Sequence, residues 1–159
     1  MTVCKKEIKK ELLKEIQKKI DLYEKSCEDA RRRSNESEGR NQSRYDTHKI
    51  ETGYEADAYA RKAMELKQIY QKLNDMSFSE TNDRVRLGSL VRLRWKDGGK
   101  VDNILLLSHA GGVDLKELNI MTVSSQAPLS LAIMNTQPGE IVELQMGRLK
   151  QIIEIISIN

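Results

Sequence analysis

The residues best suited to chemistry crowd between positions 31 and 55. Arg31, Arg32 and Arg33 are consecutive, and Arg40 and Arg44 follow in one polar stretch. A collar of guanidinium groups suits contact with phosphate or with an acidic wall. The same cations also suit a solvated helix end, where they complement the C-terminal dipole, and both readings stand. Among the acids nearby, Glu36 and Glu38 read as solvated charge, and Asp46 reads as the N-cap of a second helix. His48 and His109 are isolated, and no Cys/His spacing for zinc exists. Cys4 and Cys27 would lie ~34 Å apart on one helix, too far to bridge, so they read as free thiols. No phosphate-binding loop, dinucleotide fingerprint or nucleophile elbow is present.

Two long helices must position that cluster. Ile8, Leu12, Ile16, Ile20, Tyr23, Cys27 and Ala30 recur at steps of three and four, one stripe on a helix over residues 5–33. Glu7, Glu11 and Glu15 alternate with Lys10, Lys14, Lys18 and Lys19 on the other faces, at ion-pair spacing. A helix of about 28 residues is ~42 Å long, and one narrow stripe needs a partner helix. Thr52, Ala56, Tyr59, Ala63, Leu66, Tyr70 and Leu73 supply it as a heptad seam over 46–76. Between them SNESEGRNQSRY, residues 34–45, reads as a break. The pair therefore reads as an antiparallel hairpin with its tip near 34–50; a dimerising coiled coil is the competing reading.

Composition agrees with exposed helices. The 159 residues carry 27 Lys and Arg against 24 Asp and Glu, a mild positive balance that permits nucleic-acid contact without requiring it. Charged residues are 32% and aromatics 4%, a balance that favours long exposed helices over one compact core. No apolar run is long enough for a membrane span, and MTVCKKEIKK has no apolar signal core. No export and a cytoplasmic location are expected.

The rest of the chain is β-rich. Val85 to Leu87 and Leu90 to Trp95 alternate like a strand, and Asp97-Gly98-Gly99 is a hairpin turn. Further strands are expected at Val101–Leu107, Ile120–Val123, Glu140–Gln145 and Leu149–Ile158. Pro128 starts a short helix at its first position, with Ser124 or Ser125 available to cap it, and Pro138-Gly139 closes it. The expected fold class is α+β: a hairpin over 1–76, a linker over 77–84, and a small antiparallel sheet with one short helix over 85–159.

The stretch from Thr122 to Gly139, TVSSQAPLSLAIMNTQPG, resembles the C-terminal domain of the GreA/GreB transcript cleavage factors. The shared pattern is Ile120, Val123-Ser124, Ala127-Pro128-Leu129, Leu131-Ala132-Ile133 and Pro138-Gly139-Glu140, preceded by Val85, Leu87-Gly88-Ser89 and Val91. The order, hairpin before β domain, is also similar. The family's Ser-Pro is Ala127-Pro128 here, and its Gly-Lys after the helix is Asn135-Thr136.

The resemblance implies an FKBP-like C-terminal domain on the rim of the RNA polymerase secondary channel, with Ser124, Ser125, Ala127, Pro128 and Leu129 in the docking element. It implies that the hairpin enters the channel as a monomer and touches nascent RNA indirectly. It also implies two tip carboxylates that help hold the polymerase's second catalytic Mg²⁺, with no cofactor of the chain's own. Asp46 and Glu51 are the candidates, although the family's tip does not align here in one ungapped register. Being five apart, they sit about 140° apart on a helix, so a shared ion needs non-helical backbone. Three functions follow: a cleavage-promoting elongation factor, a channel-binding regulator without cleavage, or a prolyl isomerase or chaperone. The last needs an aromatic-lined pocket, and Trp95 is the only aromatic residue in 84–159.

Overall fold

The computed structural model describes residues 4–36, 42–76, 78 and 83–159, with the side chains of 36, 42–49 and 146 left out. It divides into two compact units, Leu13–Asp75 and Met1–Leu12 with Met76–Asn159.

Two long helices dominate the first half, α1 (Lys5–Glu36) and α2 (Gln42–Asp75). The apolar stripe of α1 is where the spacing puts it: Ile8, Leu12, Ile16, Ile20, Cys27 and Ala30 are all buried, and Tyr23 is half-buried. On α2 the seam is buried at Thr52, Ala56, Ala63 and Leu73 and half-buried at Tyr59, Leu66 and Tyr70. The helices pair antiparallel. The Tyr23 and Tyr59 rings lie 6.2 Å apart. Lys67 pairs with Glu24 at 2.6 Å, and Arg33 with Glu55 at 3.2 Å, so α2 descends as α1 ascends.

Both helices reach further into the polar stretch than its composition suggests. Helix continues through Ser34, Asn35 and Glu36 and resumes at Gln42. Polar residues mark an exposed surface, and exposure alone does not stop a helix. Asp46 is consequently not an N-cap: it lies more than one turn inside α2. Residues 37–41, which include Glu38 and Arg40, fall outside the described residues.

Gly53 is an interior glycine of α2, and nothing lies within 4 Å of the Cβ it lacks. No close packing among the described residues requires it. Gly53→Ala should therefore stabilise the hairpin by about 0.5–1 kcal/mol through helix propensity, read as a raised unfolding midpoint by circular dichroism.

The second half is a single six-stranded sheet: β1 (Leu90–Trp95), β2 (Val101–Leu107), β3 (Asp114–Leu115), β4 (Ile120–Ser124), β5 (Ile141–Met146) and β6 (Leu149–Ile158). Their order across the sheet is β3-β4-β2-β1-β6-β5. A short α-helix, α3, spans Pro128–Ile133, and a single 3-10 turn spans Lys116–Leu118. The α+β class holds, with three corrections. The sheet is not wholly antiparallel, because β4 runs parallel to β2, Asn103 facing Ile120 and Leu107 facing Ser124. A sixth strand, β3, pairs antiparallel with the start of β4. Val85 to Leu87 is not strand: Gly88 at φ +84° turns the chain there, and its N–H donates to the Leu106 carbonyl at 2.8 Å. The glycine is needed for that conformation, which L side chains rarely adopt.

Apolar side chains are buried on both faces of β2, Leu105 and Leu107 on the side opposite Ile104 and Leu106, and one face carries the cluster that includes α3. Val91, Leu93, Ile104, Leu106, Leu144, Ile153 and Ile155 are buried there with Val85 and with Ile133 of α3. The alternation along β1 and β6 is what delivers these side chains to one side.

Candidate functional site

Two surfaces hold the residues singled out from the sequence, one in each unit. In the sheet unit, the Thr122–Gly139 stretch is a strand, a short helix and a turn. Ala127 is the N-cap in extended conformation and Pro128 occupies the first turn. Neither Ser124 nor Ser125 caps the helix; no side chain does. Ser124 works in the opposite sense, its carbonyl accepting the buried Ser130 hydroxyl at 2.6 Å and the Ala127 N–H at 3.0 Å. Its own hydroxyl accepts the Gln126 N–H at 3.3 Å. Ser125 donates its N–H to the Leu107 carbonyl at 2.8 Å, which fastens the stretch to the end of β2.

The far end of α3 is held equally firmly. Asn135 takes a left-handed conformation at φ +68° and stops the helix. Its N–H donates to the Val85 carbonyl at 2.9 Å, and the Val85 N–H donates to the Thr136 carbonyl at 2.9 Å. Gly139 donates to Ile155 on β6 at 2.7 Å. Thus Val85, which the sequence reading placed in a strand, ties the linker to the end of α3.

The apolar residues of α3 separate by face. Leu129 is half-buried and packs on the core, and Ile133 is fully buried. Leu131 is 66% exposed beside exposed Pro128. Leu131 was not among the docking residues named from sequence, since the period alone does not say which side of so short a helix meets the sheet.

On the hairpin, Arg31, Arg32 and Arg33 are exposed, as expected of the collar. Arg32 pairs with Asp29 at 3.0 Å. Arg33 reaches across to Glu55, whose carboxylate also accepts the Tyr59 hydroxyl at 3.1 Å. That carboxylate raises the Tyr59 phenol above its ordinary pKa, first through the hydrogen bond and then through its charge. Sequence reasoning missed this clamp; the four-residue step from Glu55 to Tyr59 was its one local signal. Arg44 lies in α2, with its side chain outside the described residues, and Arg40 lies outside them altogether.

Glu51 is exposed on α2. Asp46 and Glu51 sit on one uninterrupted helix. Positions five apart on a helix differ by about 7.5 Å along the axis and about 140° around it. The non-helical backbone that a shared ion needs is absent between them. Among the described residues no group of three or more His, Cys, Asp or Glu side chains could hold a metal ion. No described helix is long and apolar enough to cross a membrane.

Trp95 borders a shallow recess of about 300 Å³ whose other walls are Asp97, Gly98, Lys100, Asp102 and Gln151. Its indole N–H donates to Asp102 at 2.7 Å. No second aromatic lines it, so this recess is not the apolar cradle that a prolyl isomerase needs.

β1 and β6 share an ionic patch. Glu154 accepts from Lys96 at 2.8 Å and from Arg94 at 3.3 Å. The Lys96 hydrogen bond, with the nearby positive charges, holds the Glu154 carboxyl below its ordinary range. A lowered folded pKa stabilises the protein above the unfolded value, and that contribution disappears as pH falls through the folded one. Glu154→Gln should therefore lower the melting temperature slightly at neutral pH. The difference from wild type should close as pH drops below about 4.3, the ordinary glutamate value.

No protein-family model matches the chain, and no curated protein sequence does. Solved structures do. GreA factor homolog 1 (Gfh1) of Thermus thermophilus is 16% identical, with a TM-score of 0.40 over 92% of this chain and 94% of that one. Gfh1 of Thermus aquaticus is 17% identical, with a TM-score of 0.42 over 94% of this chain and 95% of that one. A GreA/GreB elongation factor of Nitrosomonas europaea is 18% identical, with a TM-score of 0.38 over 59% of this chain and 78% of that one.

Proposed function

We propose that this chain is a Gre-like factor that binds RNA polymerase at its secondary channel, docking through the α3 region and extending the hairpin toward the active centre. The observation that carries the reading is the Thr122–Gly139 stretch. Its family-like residues form one element, a strand, a Pro-started helix and a left-handed stop, fastened at both ends to the sheet. Exposed Leu131 and Pro128 make its apolar outward face. The protein is taken to work in the cytoplasm as a single chain, with nascent RNA near the hairpin tip.

Of the two polymerase readings, the helix through 46–51 favours regulation without cleavage. Positions 46 and 51 do not share a face of that helix, which supports a hairpin that acts by occupying the channel. Arg31 and its neighbours then meet phosphate or acidic wall.

The test uses purified polymerase and backtracked elongation complexes. Leu131→Asp should keep the melting temperature within a few degrees of wild type, because the side chain is already in water, and should weaken polymerase binding at least ~10-fold, as loss of an interface anchor does. Wild type should bind without accelerating transcript cleavage. Cleavage that is stimulated, and lost in Asp46→Asn or Glu51→Gln, would restore the catalytic reading. Failure to bind polymerase would remove both.

A further inference from the structure

We propose that one side of the hairpin is the contact surface for a second copy of this chain. A groove of about 620 Å³ opens between α1 and α2 within the hairpin unit. Its floor is apolar and shallow-sided: Cys27, Ala60 and Ala63. Met64 stands at its edge, 66% exposed. Its rims are charged, with Glu24, Glu28 and Arg31 on α1 and Lys67, Arg61 and Asp57 on α2.

The order of those charges identifies the occupant. The Glu24–Lys67 pair fixes the level of one end of the groove, and the Arg33–Glu55 pair fixes the level beyond the other. Between them Glu28 falls level with Arg61, and Arg31 with Asp57. Each rim therefore carries, level by level, the sign opposite to its fellow. A two-fold axis parallel to the hairpin lays the α1 rim of one copy over the α2 rim of the other. It sets Glu24 and Glu28 over Lys67 and Arg61, and Arg31 over Asp57, twice over. This is the self-complementarity that an isologous contact requires. Met64 of each copy comes level with Cys27 of the other and can fill its small-residue floor, as an anchor does in a pocket. A nucleic-acid strand would instead meet three carboxylates on these rims, and a peptide of one charge would meet both signs.

The single chain remains the working form; the pair is a second state that competes with it. Arg31 serves both surfaces, so pairing and entry into the channel exclude one another, but the test of the pair needs no polymerase.

Sedimentation equilibrium of the full chain, from low micromolar upward, should show a reversible monomer–dimer equilibrium. Glu28→Arg alone and Arg61→Glu alone should each weaken the dimer ~10-fold or more, because each sets like charges against one another twice. Mixing the two variants should restore association, since both contacts in the mixed pair are again between opposite signs. A purely structural effect within one chain could not be repaired by mixing. Met64→Glu should weaken the pair by at least ~30-fold, as loss of a central anchor does. Circular dichroism checks that each variant keeps its helix. A monomer at every concentration, a dimer indifferent to these changes, or a mixture that fails to recover would overturn the proposal.

Discussion

Ile20→Ala should cost the protein about 3 kcal/mol, within the usual range for emptying a fully buried aliphatic site. Ile20 is 1% exposed in the middle of the α1 stripe. Alanine is the better helix former, so propensity works against the loss and cannot cause it. What remains is burial and the cavity left between two helices. The hairpin unit has no further layer, so little else can collapse into that space. Urea unfolding followed by helical circular dichroism measures the change. A loss under about 1 kcal/mol would mean that the seam is not the packed core of the hairpin.

Gly111→Ala should be nearly as damaging, by roughly 2–3 kcal/mol, through steric overlap and not through φ. A Cβ at this position would come 2.6 Å from the Ser124 nitrogen and 2.8 Å from the Ser124 Cβ. The obstacle is mostly backbone, at the end of β4, and it cannot swing aside. The loop itself is laced to that strand. Gly112 donates to the Thr122 carbonyl at 2.8 Å, and the Thr122 hydroxyl donates to the Ala110 carbonyl at 2.6 Å. Moving Ser124 also moves the acceptor that holds Ser130 and α3. The neighbouring Gly112 is the control. It has φ +80° but open space around it, so Gly112→Ala should cost only about 1 kcal/mol of left-handed strain. Thermal melts of the two variants rank them. Equal losses, or a larger one at Gly112, would show that close approach to β4 is not what position 111 requires.

The contrast between these glycines shows what was legible in the sequence. The seams of α1 and α2 were, because a 3.6-residue period marks buried positions directly. Pro128 as a helix start and Asp97-Gly98-Gly99 as a turn were legible because each rests on local backbone chemistry. Gly111 was not: in the sequence it is one of two adjacent glycines, and only the approach of Ser124 separates them. The parallel alignment of β4 with β2 was hidden for a similar reason, since alternation gives strands but not their direction. Leu129 and Leu131 differ only in which side of a six-residue helix meets the sheet. The end of α1 and the start of α2 were misplaced because Ser, Asn and Glu report exposure more reliably than they report a break.

The placement of β6 has a consequence for how the chain is made. Its residues face β1, Ile158 against Val91 and Ile153 against Trp95, and β5 reaches the sheet only through it. During synthesis the sheet must therefore wait, open along the free side of β1, until positions 149–158 have left the ribosome. The partners of the helical seam are complete some eighty residues sooner. The hairpin can close first, and the bond from Lys9 to the Met76 carbonyl can form as soon as α2 is made.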